Sequence, residues 1–204
     1  MQISRIAVAF ALVAGAANAQ PLAGASLVDA LRGGGYVLLM RHASSPQALP
    51  SVTEADPANP GRERQLDEAG KRAAEEMGRA IMALRLPVGE VWSSPTFRAQ
   101  QTARLAGLPE PSTAPELGDR GQSMQAAGTD QAAWLKARVA TPARAGTDTV
   151  IITHLPNISA AYGAAAAGLA DGEALVFHPR GQGPPELVAR IKAEDWPKLA
   201  AAGR

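Results

Sequence analysis

A chain of 204 residues with 46% hydrophobic side chains can bury one ordinary core, and nothing in its length calls for a second domain. Its formal charge of +1 and its 4% aromatic content argue against a broad nucleic-acid surface and a base-stacking platform. The absence of cysteine excludes thiol chemistry, disulfides and cysteine-held metals.

The first nineteen residues read as a secretory signal. Arg5 is the positive residue, Ile6 to Gly15 form the apolar run, and Ala17-Asn18-Ala19 resembles a small-x-small cleavage site. The run is too short to span a bilayer. The expected mature chain is one domain over 20–204, starting at Gln20, periplasmic or secreted and without a membrane span. Having lost Arg5 and no acidic group, it carries a formal charge of about zero.

Ser26 to Arg32 predicts a short amphipathic helix with Leu27, Ala30 and Leu31 on one side, broken by Gly33-Gly34-Gly35. Tyr36 to Met40 follows as an uninterrupted apolar run, the pattern of a central strand covered on both faces, and it leads into Arg41-His42. Ala43 to Gln65 holds four prolines and little periodicity, longer than connections in compact domains usually are. Leu66 then opens a helix with Asp67 as N-cap and Ala69, Ala73, Met77, Ile81 and Leu84 near helical spacing.

Val91-Trp92 predicts a short strand. Ser94 after it reads as an N-cap, with Pro95 at the first position of a helix that runs to about Gly107 and carries Arg98 in its first turn. Pro109 to Thr129 is a second irregular region, and a weaker helix is expected from Asp130 to about Ala140. Thr149 to Thr153 is the second buried strand, ending in His154, and Pro156 to about Ala167 an alanine-rich helix. Ala174 to Phe177 and Glu186 to Ile191 predict an edge hairpin across Pro179 to Pro185. This order predicts an α/β domain, a three-layer α/β/α sandwich with a mainly parallel central sheet. Ligands in such sheets sit beyond the carboxyl ends of the strands, so the three junctions at His42, Ser94 and His154 are expected to share one crevice.

The residue types at those junctions point to phosphoryl chemistry. A phosphate monoester needs donors that stay charged at every relevant pH, and the planar fork of arginine serves two oxygens at once. Arg41 lies at a strand end and Arg98 at a helix start, where the dipole also favours an anion. A histidine among guanidinium groups is pushed toward its neutral, nucleophilic form, so His42 is the candidate nucleophile, and His154 is expected to donate an N–H to the equatorial oxygens. Arg64 is a further candidate for the anion pocket, ahead of Arg62. Asn157 is read either as orienting the His154 ring or the phosphate, or as a helix N-terminal cap. Three histidines with His178 among them invite a metal reading, but no ligand spacing or carboxylate cluster accompanies them, so neither a metal nor a cofactor is expected.

At these residues the chain resembles the histidine phosphatase superfamily, in the branch of the cofactor-dependent phosphoglycerate mutases and many small phosphatases. The matching pieces are Leu39-Met40-Arg41-His42-Ala43, the segment Ser93-Ser94-Pro95-Thr96-Phe97-Arg98-Ala99-Gln100-Gln101-Thr102-Ala103, Thr153-His154, and Arg64-Gln65-Leu66-Asp67-Glu68-Ala69-Gly70 at the start of the first large helix. The resemblance covers roughly residues 27 to 192 and implies a phosphoglycerate mutase-like fold, phosphorylation on His42, phosphate binding by Arg41 and Arg98, and His154 completing the pocket. Ala43 stands where the family usually has glycine, which suits only a negative φ. The family's acid implies a carboxylate after the second arginine segment; Glu116 is favoured and Asp119 competes.

The expected function is an exported phosphomonoesterase acting on a small-molecule phosphate ester, a phosphorylated envelope sugar by analogy with location. The alternatives are a phosphotransferase or mutase using the same phosphohistidine, and a phosphate-binding module without turnover.

Overall fold

The structure, a computed structural model, describes residues 20–46, 61, 63–118, 128–181 and 183–203. The signal-peptide reading of residues 1–19, Arg62 and Asp119 lie outside the described residues.

One six-stranded sheet organises the chain. In chain order the elements are α1 (Gly24–Gly33), β1 (Val37–Arg41), α2 (Glu68–Leu84), β2 (Val88–Ser93), α3 (Phe97–Leu105), β3 (Ser112–Thr113), α4 (Thr129–Ala140), β4 (Asp148–Thr153), α5 (Leu155–Tyr162), β5 (Ala174–His178), β6 (Glu186–Ile191) and α6 (Trp196–Ala202). The sheet order is β3-β2-β4-β1-β5-β6, with β3, β2, β4 and β1 parallel and β5 and β6 antiparallel. The two apolar runs therefore pair directly as central strands, Val37 opposite Thr149 through Arg41 opposite Thr153.

Alternation along these strands splits the core into two faces. Leu38 and Met40 of β1 and Val150 and Ile152 of β4 pack with α1, α2, α3 and α6, through Leu31, Met77, Ala99 and Trp196 among others. Val37, Leu39 and Ile151 face the opposite way onto α4 and α5, against Leu135 and Ile158. The result is the three-layer sandwich expected from the sequence. Among the described residues no helix is long and apolar enough to cross a membrane.

Asp67 caps α2 as expected, its carboxylate accepting from Gly70 N at 2.7 Å, and this amide together with the Ser44 hydroxyl holds the acid below the usual carboxylate range. Gly70 is required there: a Cβ on it would lie 2.1 Å from the Ser44 carbonyl oxygen. The helix after β2 starts later than the sequence suggests. Ser94 does not cap it; its Oγ accepts from Thr96 N at 3.2 Å in a tight turn, and α3 begins at Phe97. β3 and α6 are additions that the sequence pattern did not signal, the one only two residues long and the other opened by Trp196-Pro197.

Candidate active site

The parallel ladder carries three chain segments to one level. Beyond the register pairs, His42 N donates to Thr153 O at 3.0 Å and Ser94 N donates to Ile152 O at 2.9 Å, so the ends of β1, β4 and β2 lie side by side. His42 follows β1, His154 follows β4, and α3 returns Arg98 over both. All three side chains are buried.

Arg98 bridges the histidines. Its Nε donates to His42 Nε2 at 3.2 Å and its Nη2 to His154 Nδ1 at 3.1 Å, and the two rings lie 5.1 Å apart between centroids at 65°. A guanidinium only donates, so both contacted ring nitrogens are unprotonated acceptors. The protons must then sit on the other nitrogens, and each has an acceptor: His42 Nδ1 donates to the Ala43 carbonyl at 2.7 Å, and His154 Nε2 to Ser94 Oγ at 2.8 Å, with Thr96 Oγ1 at 3.4 Å. His42 Nε2 is thus the unprotonated nitrogen, the form a nucleophile at phosphorus requires, and its lone pair is held by Arg98 until an anion takes over that donor.

Burial first and the Arg98 charge second hold both imidazoles well below the usual histidine pKa, with Arg41 and Arg64 adding to the effect on each ring. Of the three arginines read from the sequence, Arg98 touches both rings, while Arg41 and Arg64 act on them through charge. Arg64 is buried and donates from Nε to Pro46 O at 2.7 Å and from Nη2 to Ser45 O at 3.0 Å, bracing the loop after β1. Arg41 ion-pairs through Nη2 with Asp171 at 2.7 Å and donates from Nη1 to Leu169 O at 3.2 Å. Ala43 has no positive φ, so the residue in the usual glycine position is unstrained.

Asn157 does not cap α5. Its Nδ2 donates to the carbonyls of Glu116 at 3.1 Å and Gly118 at 3.3 Å. With its Nδ2 turned to these two carbonyls, the side chain staples the loop that precedes α4. Thr153 Oγ1 reinforces that staple by donating to Leu117 O at 2.7 Å. Between them they fix the short 3-10 turn Pro115–Leu117, and with it the half-buried Glu116, beside the carboxyl end of β4. Among the described residues no group of three or more histidine and acidic side chains could hold a metal ion.

Several participants were not assigned a site role from the sequence, although most of them lie in the segment Ser93 to Ala103. Ser94 and Thr96 hold the second imidazole. Thr102 Oγ1 accepts the Ala43 amide at 3.2 Å and donates to Arg98 O at 2.9 Å, tying the peptide after the nucleophile to the helix that carries the arginine. Gln101 Oε1 accepts Leu66 N at 2.8 Å, and the buried Glu63 carboxylate accepts Phe97 N at 2.5 Å.

Residues 37–120 match the family model of the histidine phosphatase superfamily (branch 1). No curated protein matches the chain. Among solved structures, the protein histidine phosphatase SixA in complex with tungstate is similar at a TM-score of 0.57 and 20% identity, over 78% of this chain and 98% of that one. A protein assigned as the phosphohistidine phosphatase SixA from Nakamurella multipartitia aligns at 0.54 and 22% identity, over 78% and 95%. A phosphoserine phosphatase variant from Entamoeba histolytica with phosphoserine bound aligns at 0.54 and 13% identity, over 78% and 98%. At these identities the likeness is one of fold.

Proposed function

We propose that the protein is a member of the histidine phosphatase superfamily, and within it a phosphomonoesterase that works through a phosphohistidine on His42. The observation that carries this reading is the Arg98 bridge, which leaves His42 Nε2 unprotonated and in contact with a guanidinium, with Arg41 and Arg64 adding their charge. In the reaction an oxygen of the entering phosphoryl group takes over the Arg98 donors, and His42 Nε2 attacks phosphorus in line with the ester oxygen. The P–N bond forms as the P–O bond breaks. Glu116 delivers the proton to the departing oxygen, and the same carboxylate then takes a proton from the water that cleaves the P–N bond, restoring neutral His42 and releasing phosphate. Arg41, Arg64 and Arg98 compensate the charge that a metal ion supplies in other phosphatases, so turnover continues with a chelator present.

The test is a rapid quench at alkaline pH with phosphate-labelled substrate. The native chain and Glu116→Gln are expected to carry acid-labile label, the latter forming it more slowly from alkyl than from aryl esters, and His42→Ala to carry none. Label and turnover surviving in His42→Ala would overturn the mechanism.

Export is part of the same proposal and rests on the sequence of residues 1–19; protein recovered outside the cytosol with Gln20 at its N-terminus supports it, and an intact Met1 overturns it. Outside the cytosol, a small phosphate ester such as an envelope phosphosugar is the substrate class proposed, and water rather than a second hydroxyl is the acceptor. The two SixA structures favour a related reading, an ester or phosphoramidate with a good leaving group, which demands little of the acid.

A further inference from the structure

Arg41 reaches the site with part of its donor set already committed. Nη2 is ion-paired to Asp171 at 2.7 Å and Nη1 donates to the Leu169 carbonyl at 3.2 Å. Both partners lie on the segment 167–173 that leads from the end of the α5 layer to β5, and this segment is tied down on every side. The buried Glu173 carboxylate accepts from Ala170 N at 2.9 Å and from Arg190 Nε of β6 at 2.7 Å, while Arg190 Nη1 donates to Ala167 O at 3.1 Å. Two further bonds attach it to the nucleophile strand itself: Gly172 N donates to His42 O at 3.0 Å, and Arg41 N donates to Glu173 O at 3.1 Å. Gly172 turns the chain there at φ +71°, with the position of its missing Cβ only 3.8 Å from the Ala43 Cα.

A guanidinium has five N–H donors, and one of them, on Nη1, is used in a hydrogen bond to Leu169 O while Asp171 holds Nη2 by charge, so donors on the guanidinium stay available to an anion. The carboxylate also sets a negative charge against one of the three cations that act on the histidines. At an effective dielectric of about 40, between that of a surface pair and bulk water, one unit charge about 6 Å from another of like sign costs about 1.4 kcal/mol, a weakening of anion binding of about tenfold. The Asp171 side chain is 36% exposed, so it lies at the rim of the crevice rather than beneath it.

We infer that Asp171 is a positioning residue of the phosphate site, which fixes the Arg41 guanidinium by one edge and lowers the affinity of the site for inorganic phosphate so that product leaves. The inference rests on the phosphatase reading above. It gives the loop before β5 a part in turnover although no atom of that loop takes part in the bond changes.

The experiment measures the inhibition constant of inorganic phosphate against an activated aryl phosphate in the native full chain, Asp171→Asn and Asp171→Ala, a readout that does not change with the fraction of folded enzyme. Asp171→Asn keeps an acceptor for Arg41 and loses the charge, so its inhibition constant and KM are expected to fall about tenfold. Asp171→Ala releases the guanidinium as well, and its kcat is expected to fall at least tenfold below that of Asp171→Asn, with Asp171→Glu recovering most of the native value. An unchanged inhibition constant in Asp171→Asn, or equal kcat in the Asn and Ala variants, overturns the inference while leaving the phosphatase reading intact. A native chain that neither hydrolyses the ester nor binds phosphate overturns both.

Discussion

Arg98 hydrogen-bonds both imidazoles, so the protonation of each ring is set by a donor that cannot accept. For His42 that sets the tautomer an attack on phosphorus needs, with the Nε2 lone pair freed once an anion takes the Arg98 donor. For His154 it places the lone pair of Nδ1 toward Arg98, and Ser94 Oγ, which takes the Nε2 proton, holds the ring in that orientation. Removing the hydroxyl leaves a buried N–H to find another acceptor, a loss of about 1–2 kcal/mol, which is about tenfold in rate if it falls on the transition state. Ser94→Ala is therefore expected to lower kcat about tenfold with little change in KM, and Ser94→Thr to restore it. Equal kcat in the native chain and Ser94→Ala would show that the ring is oriented without the serine. Arg41, His42, Arg98 and His154 were legible in the sequence because each stands where an apolar strand ends or a helix begins, positions that fold geometry sends to one rim. Ser94 was placed at the rim by the same logic but given the role of a helix cap, since a serine beside a proline looks the same whether its hydroxyl serves a backbone amide or an imidazole.

The helix that carries Arg98 is short, Phe97 to Leu105, and its orientation depends on what meets its first turn. No hydroxyl of its own caps it. The carboxylate of Glu63, arriving from the loop after β1, takes Phe97 N at 2.5 Å and sets a negative charge where the helix dipole favours one. A cap of this kind is worth about 1–2 kcal/mol. Glu63→Ala is expected to lower the unfolding free energy by about that amount and to weaken phosphate binding through a displaced Arg98, with Glu63→Gln in between because an amide oxygen still accepts. Urea unfolding together with phosphate titration of the three chains reads both effects, and a Glu63→Ala chain with native stability would remove Glu63 from the account. This contact was beyond the sequence for a plain reason: residues 63 and 97 are brought together by the crossing of α2 and β2, and no local pattern in a proline-rich loop records its distant partner. Asp67, by contrast, caps the helix that begins at the very next residue, and was read correctly.

Across the whole molecule, β4 carries a buried ionisable group at each end: Asp148 where it enters the sheet and His154 just beyond where it leaves. The architecture between them was readable because runs such as Val150-Ile151-Ile152 admit no polar face, which requires helices on both sides; the two-residue β3 and the terminal α6 were too short or too ordinary in composition to stand out. Asp148 is different from the site residues, since its Oδ1 accepts Tyr36 N at 2.9 Å while its Oδ2 has no hydrogen-bond partner among the described residues, and burial pushes its carboxyl up to about 7. The folded chain therefore holds that proton through a pH range in which the unfolded chain has released it. Stability is lost as pH rises from the ordinary aspartate range toward 7, and the cost is complete above it. The two imidazoles act in the opposite sense, costing stability as pH falls below their ordinary value of 6.5, because the unfolded chain then binds protons the folded one refuses. Asp148→Asn keeps the acceptor for Tyr36 N and removes only the ionisation, so the imidazole contribution cancels between variant and native chain. The variant is expected to gain little at pH 4 and about 2–4 kcal/mol at pH 8, read from urea unfolding at both. A gain that is the same at the two pH values would mean that Asp148 ionises alike in the folded and unfolded chains, and that the entrance of β4 carries no stored charge cost.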